Sequence, residues 1–366
     1  MSNRPTLYVS ITNHGFGHAA RTAAIAGVVQ ELLPEVQLII ATTAPRWLIA
    51  SYVTGDFFYH ACAHDVGVIQ ADSLQMNLPA TLQEWQRIFD RQEEIVSSEA
   101  AFLQKMGVNL VLADIPPLAM PIAHRAGVPA WAAINFGWDF IYQDWGKEFA
   151  AITQWIGDCY GQCDRMFHLP LSESLDRFPV REPAGLTGGR SRYQAADVRQ
   201  DLGLEQAERT ILMVFGGLGL QAIPYENVKL FPDWQFLTFD RSAPQLPNLH
   251  CIPDPSSDDV PRRYRPVDIF PICDLVVSKP GYTTYAEAMI ADLPVATIPR
   301  SGFAESAIIQ AGLQDYSHHQ IIEPADFFTG AWDFLLQPVL SPRSGQSLSK
   351  DGTEQIAQAI VDFLRR

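Results

Sequence analysis

A glycine-rich turn near the start of the chain places a strong constraint on the fold. Residues 6–12 (TLYVSIT) are β-branched and apolar, which predicts a buried strand, and residues 22–33 predict a helix. Gly15 and Gly17 allow the backbone to turn sharply between them and bring His18 to the helix start. Unpaired N–H groups give that end a partial positive charge. This order of strand, turn and helix is typical of an open α/β sheet, which binds ligands at such a corner.

Strand and helix patterns alternate along the whole chain, which predicts βαβ units, parallel sheets and an α/β fold. A chain of 366 residues is too long for one compact core, so two domains are expected. We predict a Rossmann-like N-terminal domain over residues 1–180 and a Rossmann-like C-terminal domain over 195–345. A final helical segment, 346–366, can pack back on the N-terminal domain. Residues 170–192, rich in proline and glycine, predict a linker.

The individual elements follow from apolar runs and from helical spacing. Further strands are predicted at residues 36–42, 109–113, 128–134 and 165–169, and in the second half at 210–215, 234–239, 248–252, 274–278 and 295–298. Further helices are predicted at residues 81–106, 118–126, 196–204, 281–291 and 353–364. A loop rich in proline, aspartate and arginine is predicted at residues 253–266.

The composition is that of a globular chain with an acidic balance. Apolar residues make up 47% and charged residues 18%. The net charge of −15, from 26 basic and 41 acidic residues, argues against nucleic acid or an anionic membrane as a general partner. No apolar stretch approaches the ~20 residues of a membrane span, and no N-terminal signal is visible. We therefore predict a cytoplasmic protein without an integral membrane segment.

The five cysteines predict neither a disulfide framework nor a metal site. An odd number in a chain of this length argues against disulfides. Cys159 and Cys163 lie four residues apart on a predicted helix, but no second Cys/His pair accompanies them, as a zinc site would require. No Asp-x-Asp triplet stands at a predicted strand end to hold a divalent ion. The sequence therefore predicts no metal.

The first turn also matches the loose dinucleotide-binding fingerprint, as Gly15-x-Gly17-x-x-Ala20. That fingerprint needs an acidic residue at the end of the second strand to hold ribose hydroxyls. Thr42 and Thr43 stand there instead. A nicotinamide-dependent oxidoreductase is therefore disfavoured, and no Gly-x4-Gly-Lys-Ser/Thr sequence supports a P-loop kinase.

His18 is predicted to act as a general base. The positive end of a helix favours the neutral imidazole, which is the form that accepts a proton. A carboxylate on the far ring nitrogen would fix the tautomer and stabilise the imidazolium. Asp114, at the end of a strand on the same sheet edge, is the candidate. The alternatives are a helix-capping or loop histidine, and an N-cap role for Asp114.

A second strand–turn–helix unit is predicted at residues 274–291. The turn contains Lys279 and Gly281, and the free N–H groups of the helix start, with the Thr284 hydroxyl, suit a diphosphate. Glu287 follows on the same helix, where a carboxylate could bridge both hydroxyls of a ribose. The alternative is a plain structural unit in which Glu287 is only solvated.

An aromatic-rich segment, residues 135–142 (NFGWDFIY), follows a strand on the ligand-binding edge. Such segments mostly fill cores. At this edge Trp138 could instead form a stacking surface for an acceptor sugar, and Asp139 could bind sugar hydroxyls or orient His14. The candidate acceptor-binding residues are His14, Phe16, Asn135, Trp138 and Asp139.

Several ordered motifs resemble those of the GT-B glycosyltransferases, which use nucleotide sugars. Residues 280–287 (PGYTTYAE), followed by Leu293-Pro294, are similar to the SG-x-x-T-x-x-E turn and LP of the bacterial N-acetylglucosaminyltransferase that makes the peptidoglycan lipid intermediate. The most extensive resemblance, over nearly the entire chain, is to the glycosyltransferase-like N-terminal region of plant L-arabinokinases. The stretches that carry it are residues 14–21, 69–74, 135–142 and 281–288.

The resemblance implies a GT-B fold, with two Rossmann-like domains that face each other across a cleft, and it implies roles for single residues. His18 falls where these enzymes keep a catalytic histidine, and Asp114 where many keep its carboxylate partner. Glu287 falls on the ribose-binding glutamate, and Glu305 stands in the donor-sugar loop, residues 300–306. The implied donor-binding residues are Gly216, Gly217, Gly219, Lys279, Gly281, Thr283, Thr284, Glu287 and Glu305.

Two positions depart from the pattern of the family. The usual glutamine of the donor-sugar loop is absent, since Ser306 follows Glu305, and Pro280 replaces a small residue before Gly281. These departures leave the donor sugar open. They also leave open whether transfer is catalysed at all, because the similar region of plant arabinokinases is attached to a separate sugar kinase.

The sequence thus predicts an inverting, metal-independent hexosyl- or pentosyltransferase. It would have no cofactor, use a nucleotide-sugar co-substrate, a UDP-sugar in preference to a GDP-sugar, and act on a small-molecule or glycan acceptor. A non-catalytic sugar or nucleotide-sugar binding module, regulatory in role, is one alternative. A nucleotide-sugar epimerase on the same fold is another.

Overall fold

A computed structural model describes residues 4–70, 76–204, 207–217, 219–220, 222–253 and 264–366. Residues 71–74 of the second arabinokinase-like stretch, Leu218 of the glycine loop and residues 254–263 of the predicted loop lie outside this description. The described residues form two compact units. The first comprises residues up to 188 together with 349–366, and the second comprises residues 189–348. No helix within the described ranges has the length and apolar character to cross a bilayer.

The first unit is built on a parallel sheet of seven strands. These strands are β1 (Thr6–Ile11), β2 (Gln37–Ala41), β3 (Phe58–His60), β4 (Leu110–Asp114), β5 (Ala130–Ile134), β6 (Arg165–His168) and β7 (Arg181–Pro183). Their spatial order is β3-β2-β1-β4-β5-β6-β7, which is the order of a doubly wound fold. Strands β1, β4 and β5 are wholly buried, as their continuous apolar sequences require when helices cover both faces.

Helices connect these strands and cover the sheet. They are α1 (Phe16–Leu32), α2 (Arg46–Ala50), α3 (Leu78–Asp90), α4 (Gln92–Met106), α5 (Ala119–Ala126), α6 (Trp138–Tyr142) and α7 (Ala150–Tyr160), joined by the last helix of the second half, α13 (Gly352–Leu364). Helix α1 is rich in alanine. Its Gly27 allows a close approach to the backbone of Tyr52, since a Cβ at this position would lie 2.6 Å from the Tyr52 carbonyl oxygen. Helix α13 packs against α1 and so belongs to the first unit.

The second unit repeats the pattern with a parallel sheet of six strands in the order β10-β9-β8-β11-β12-β13. Its strands are β8 (Arg209–Val214), β9 (Trp234–Thr238), β10 (Leu249–Cys251), β11 (Leu275–Ser278), β12 (Val295–Thr297) and β13 (His319–Ile321). Its helices are α8 (Ala195–Leu202), α9 (Pro266–Ile269), α10 (Tyr282–Ile290), α11 (Ala304–Tyr316) and α12 (Pro324–Thr329). Short 3-10 segments lie at Lys147–Phe149 in the first unit and at Tyr225–Leu230, Phe270–Ile272 and Asp333–Leu336 in the second.

Two helix boundaries differ from those that the sequence predicts. Helix α1 begins at Phe16 rather than at residue 22, because Gly15, with φ 74°, makes the turn that starts it. The helix predicted over residues 81–106 is two helices, α3 and α4, which separate at Arg91. The φ and ψ of Arg91, −104° and 7°, lie outside the helical region.

Two predictions in the middle of the chain need correction. The predicted linker, residues 170–192, includes the boundary between the two units at residues 188 and 189, but it also contains β7, whose Pro183 is compatible with a strand because β7 lies at the edge of the sheet. Cys159 and Cys163 do not share a helix, since α7 ends at Tyr160. The sequence patterns do not predict the short elements α2 and β3, nor α11, β13 and α12, whose apolar patterns are weak, whereas the helix predicted at residues 353–364 is present as α13.

Candidate functional site

His18 and Asp114 meet at the carboxyl ends of two neighbouring strands. Asp114 ends β4 and lies in register with Ile11, the last residue of β1. The chain then turns at Gly15 into α1, whose first turn carries His18. His18 Nδ1 lies 3.1 Å from Asp114 Oδ1. Because β1 has β2 on one side and β4 on the other, this is the point where strand order reverses and where open α/β sheets bind ligands.

Two further side chains of α1 hold the Asp114 carboxylate. Arg21 donates from Nε to Oδ2 at 2.7 Å and from Nη2 to Oδ1 at 2.5 Å. Thr22 Oγ1 donates to Oδ2 at 2.5 Å. Burial raises the pKa of Asp114, but the charges and hydrogen bonds of Arg21 and His18 outweigh it and hold that pKa well below its usual range. Asp114 is therefore a carboxylate at all physiological pH values.

This arrangement determines which nitrogen of His18 can accept a proton. An ionised carboxylate only accepts hydrogen bonds, so in the neutral form of the ring Nδ1 carries the hydrogen and Nε2 has the lone pair. The exposed fraction of His18 is 9%, and the ring packs edge-on against Phe136 at 5.6 Å between ring centroids. The carboxylate is no N-cap, because Leu118 caps the following helix and Asp114 is fully buried. The site can thus perform general base chemistry with an oriented imidazole.

The segment before His18 forms one wall of the site. His14 is half-buried, and its Nδ1 accepts a hydrogen bond from the Val68 N–H at 3.2 Å. Gly67 packs so closely on His14 that a Cβ there would lie 2.8 Å from the His14 Cβ. Phe16 is also half-buried and packs edge-on against Trp47 at 5.6 Å. Both predicted acceptor-side residues keep some exposure at this edge.

Trp138 and Asn135 do not have the exposure that contact with an acceptor requires. The exposed fraction of each is 0%. Trp138 stacks on Tyr142 at 5.6 Å, and its Nε1 donates to Asp65 at 2.7 Å. Asn135 Oδ1 accepts a hydrogen bond from Arg21 at 2.7 Å. The prediction that these two side chains face an acceptor is therefore wrong for this conformation, because both are part of the core that supports the site.

Asp65 is a buried acid that sequence inspection missed. Burial raises the pKa of Asp65 to about 6, hydrogen bonds from Thr12 and Trp138 lower it, and the charge of Asp114 raises it again. Asp65 therefore lies close enough to Asp114 for the two charges to interact. Its neighbours in the chain, Gly67 and Val68, contact His14.

Asp139 lies beside a cavity of about 240 Å³. Glu173 and Arg177 also line this cavity, and Asp139 Oδ2 lies 3.7 Å from Arg177 Nε. Burial raises the pKa of Glu173 to about 7, the Gly137 N–H lowers it, and the charge of Asp139 adds to the rise. A neutral Glu173 can donate a hydrogen bond at neutral pH, which Asp139 cannot do in its ionised form.

In the second unit, the two predicted phosphate-binding turns lie on one sheet edge. Strands β8 and β11 are neighbours, with Val214 in register with Ser278. The glycine loop follows β8, and Gly216, with φ 77°, has the left-handed conformation that favours glycine. Lys279 Cε lies 3.7 Å from the position that a Cβ of Gly216 would take. The exposed Gly217 follows, so the Lys279 side chain lies beside an exposed stretch of the glycine loop.

The turn after β11 leads into α10, a helix of nine residues with Gly281 as its N-cap. Thr283 is buried and Thr284 half-buried in its first turn. Burial lowers the pKa of Lys279 to about 8, the charge of Arg300 lowers it further, and Glu305 opposes both. Lys279 is thus mostly protonated at pH 7, which suits a bound anion.

Glu287 is buried rather than solvated, with an exposed fraction of 4%. Its Oε1 accepts a hydrogen bond from the Gly189 N–H at 2.8 Å. Burial raises the pKa of Glu287 to about 7, the Gly189 N–H and Arg265 lower it, and Asp268 raises it. The alternative of a merely solvated side chain is therefore wrong.

Glu305 is 9% exposed in the first turn of α11. Its charge acts on Lys279, which places both predicted donor-side residues in one neighbourhood. The Arg300 guanidinium lies 4.4 Å from the centre of the Phe303 ring.

The chain has the α/β fold of the GT-B glycosyltransferases, as its sequence predicts. It is similar to the structure of Medicago truncatula UGT71G1 complexed with UDP-glucose over 98% of this chain and 94% of that chain, with a TM-score of 0.58 and 11% identity. It is also similar to a putative UDP-N-acetylglucosamine 2-epimerase from Listeria monocytogenes over 97% of this chain and 91% of that chain, with a TM-score of 0.54 and 12% identity. At sequence identities this low, these similarities support a shared fold and nothing about activity.

A more specific similarity is to L-arabinokinase of Arabidopsis thaliana, with 25% identity over 339 residues. The alignment covers 90% of this chain and 32% of the relative, so this chain spans about a third of that protein's length. No protein-family model matches the chain. The predicted resemblance to GT-B enzymes and to L-arabinokinases is thus confirmed.

Proposed function

We propose that the protein is a glycosyltransferase that moves a sugar from a nucleoside-diphosphate sugar to a hydroxyl acceptor, with inversion and without a metal ion in the chemistry. The observation that carries the proposal is the buried His18–Asp114 pair at the switch point of the first sheet. The first unit would bind the acceptor and the second the donor.

In the proposed reaction, His18 Nε2 removes the proton of the acceptor hydroxyl, and Asp114 and Arg21 hold the ring in position. The acceptor oxygen forms a bond to the anomeric carbon as the bond to the diphosphate oxygen breaks. A single displacement of this kind inverts the anomeric centre. The leaving nucleoside diphosphate takes the bonding electron pair, and the start of α10, the glycine loop and Lys279 would stabilise its charge.

The proposed donor is a UDP-sugar, and Glu287 would hold its ribose. The similar Medicago protein was solved with UDP-glucose, which supports this choice of nucleotide. Glu287 Oε1 is engaged by Gly189, so Oε2 is the oxygen that would accept a ribose hydroxyl. The transferred sugar would be a hexose or a pentose, with Glu305 as the proposed partner of its hydroxyls.

Glu287→Ala is expected to weaken UDP binding by about 10- to 100-fold, because hydrogen bonds to a charged group contribute about 1.5–3 kcal/mol. Titration calorimetry with UDP and GDP measures this, and thermal shifts provide a second readout. Glu226→Ala, at an exposed position in the same unit, is the matched control and should bind as the wild type does. Donor binding is refuted if neither nucleotide stabilises the wild-type protein.

The affinity for UDP is also expected to depend on the ionisation of Glu287. Since its pKa is raised to about 7, raising the pH from 6 to 8 converts Glu287 to the carboxylate that ribose hydroxyls need. The ratio of wild-type to Glu287→Gln affinity should then rise several-fold, at most about tenfold. Because both proteins bind the same UDP, the ionisation of its phosphate changes both affinities equally and cancels in this ratio. A ratio that stays constant between pH 6 and pH 8 would contradict the assigned role.

An epimerase and a binding module are the rival functions. Similarity to the putative Listeria epimerase favours the first, which would release a free sugar or a 2-epimer without an acceptor. The second, a module with binding but no chemistry, rests on the similarity to L-arabinokinase, whose name gives a kinase rather than a transferase activity. Product analysis by NMR, with UDP-sugars and an acceptor panel, distinguishes the glycoside, the epimer and unchanged donor. A module would bind the nucleotide sugar in the wild type and in His18→Ala alike, and the wild type would turn over no donor with any acceptor.

A further inference from the structure

Four potential metal ligands lie close together in the first unit, at the end of β3 and on α4. His60 ends β3, and Cys62 and His64 follow at alternate positions, with small Ala61 and Ala63 between them. Alternate residues of an extended chain point to the same side. There they meet Glu99 of α4, with His60 Nε2 2.9 Å from Glu99 Oε1.

The distances among these atoms approach those of a zinc site. One ligand atom each from His60, Cys62 and Glu99 lies within 4.8 Å of the other two. Cys62 Sγ lies 3.6 Å from His64 Nε2. A tetrahedral zinc ion with bonds of about 2.0–2.3 Å separates its ligand atoms by about 3.3–3.8 Å. The Cys62–His64 distance lies in this range, and the His60–Glu99 distance is somewhat shorter, so His64 would join the group of three through Cys62.

Neighbouring side chains already orient the ligand atoms toward one another. Ser10 Oγ lies 2.9 Å from His64 Nδ1, so the other nitrogen, Nε2, faces Cys62. The His60 ring stacks on Phe102 at 4.4 Å and 12°. Such contacts to the far side of a ligand fix its tautomer and ring orientation in metal sites.

The Glu99 carboxylate has a second hydrogen-bond partner, at the same oxygen that faces His60. Tyr8 OH donates a hydrogen bond of 2.7 Å to Glu99 Oε1. Glu99 and Tyr8 lie 91 positions apart in the sequence, so only the folded chain assembles the group. The four donors come from two separate parts of the first unit, β3 with its following segment and α4.

We propose that His60, Cys62, Glu99 and His64 bind one zinc ion. Imidazole, thiolate and carboxylate together form a donor set that zinc accepts in four-coordinate sites, whereas magnesium and calcium prefer oxygen ligands. On binding, the Cys62 thiol releases its proton to solvent and its sulfur lone pair forms the bond to the metal. With all four positions filled by protein, the site is structural.

The zinc site would fix the segment that supports the candidate active site. Asp65 directly follows His64, and Gly67 and Val68 contact His14. The metal would thus anchor this segment to α4 without touching a substrate. The inference is independent of the proposed sugar transfer, because it rests on the first unit's side chains alone.

The experiment uses chelator-treated full-length protein titrated with Zn²⁺ against a chromophoric competing chelator. We expect one equivalent to bind. Cys62→Ala and His60→Gln should each lower the affinity at least about 100-fold, since even changes behind the ligands cost 10- to 100-fold. Substitution with Co²⁺ should give a thiolate-to-cobalt absorption band that Cys62→Ser removes.

Cys251→Ala is the matched control, because Cys251 is exposed and distant in sequence, and it should bind zinc as the wild type does. Circular dichroism of the metal-free variants shows whether they fold, and His60→Gln serves if a Cys62 variant does not. The proposal is overturned by substoichiometric binding to the wild type, by a cobalt complex without a thiolate band, or by folded variants that bind with unchanged affinity.

Discussion

Replacing His18 with alanine is expected to lower the rate of sugar transfer by about 10²- to 10⁴-fold, the usual contribution of a general base. The lone pair on His18 Nε2 is the proposed proton acceptor, and alanine removes it. UDP binding should remain unchanged, because the proposed nucleotide contacts all lie in the second unit, at Gly216, Lys279 and Glu287. The change should therefore appear in kcat rather than in the affinity for the nucleotide.

Release of UDP from a UDP-sugar, in the presence of an acceptor that supports turnover, measures this effect. His124→Ala is the matched control, since His124 is an exposed histidine of the same unit. Its activity should equal that of the wild type. Transfer by His18→Ala at the wild-type rate would show that another group takes the proton, and equal loss in the control would show a general loss of structure.

Much of the site could be predicted because it depends on strand order alone. Asp114 ends a parallel strand and His18 begins the helix after another, so any doubly wound sheet with β1 beside β4 brings them together. The same logic places Gly216 beside Lys279 in the second sheet. These residues lie at the ends of strands and helices, which glycine and proline mark clearly in the sequence.

The missed residues depend on tertiary contacts that no local pattern encodes. Arg21 in a helix is usually a surface residue, yet it is 1% exposed here because Asp114 lies behind it. The sequence pattern is equally compatible with Trp138 as a binding surface, and its contacts with Tyr142 and Asp65 make it a core residue. Glu99 joins His60 and Cys62 across about 40 residues of chain, which sequence spacing cannot reveal.

Replacing Arg21 with methionine is expected to destabilise the first unit by about 3–5 kcal/mol, the cost of removing one partner of a buried ion pair. Arg21 makes two hydrogen bonds to Asp114 and one to Asn135, and the exposed fractions of Arg21 and Asp114 are 1% and 0%. Methionine fills part of the volume but removes the guanidinium, which leaves the buried carboxylate with Thr22 and His18 as its side-chain partners. Adding Asp114→Asn should recover part of the loss, because the remaining group is neutral.

These changes are measured by urea-induced unfolding, from the transition in which the first unit unfolds. Arg125→Met is the control. Arg125 forms an exposed ion pair with Glu93, and its loss should change stability little. Equal effects of Arg21→Met and Arg125→Met would show that the buried ion pair contributes no more to the free energy of unfolding than the exposed one.

The pH dependence of the Arg21→Met loss provides a sharper test. In the wild type, the pKa of Asp114 is held below its ordinary value, so the carboxylate contributes stability above the unfolded pKa of about 3.9, and this is lost as the pH falls through the folded pKa. Without Arg21, burial dominates and raises the folded pKa. In Arg21→Met, the buried Asp114 charge then lowers the stability fully above this raised pKa. The loss becomes smaller as the pH falls and protonation of Asp114 removes the charge. Arg21→Met should therefore cost more stability at pH 8 than at pH 5, and a loss independent of pH would mean that volume, not charge, accounts for it.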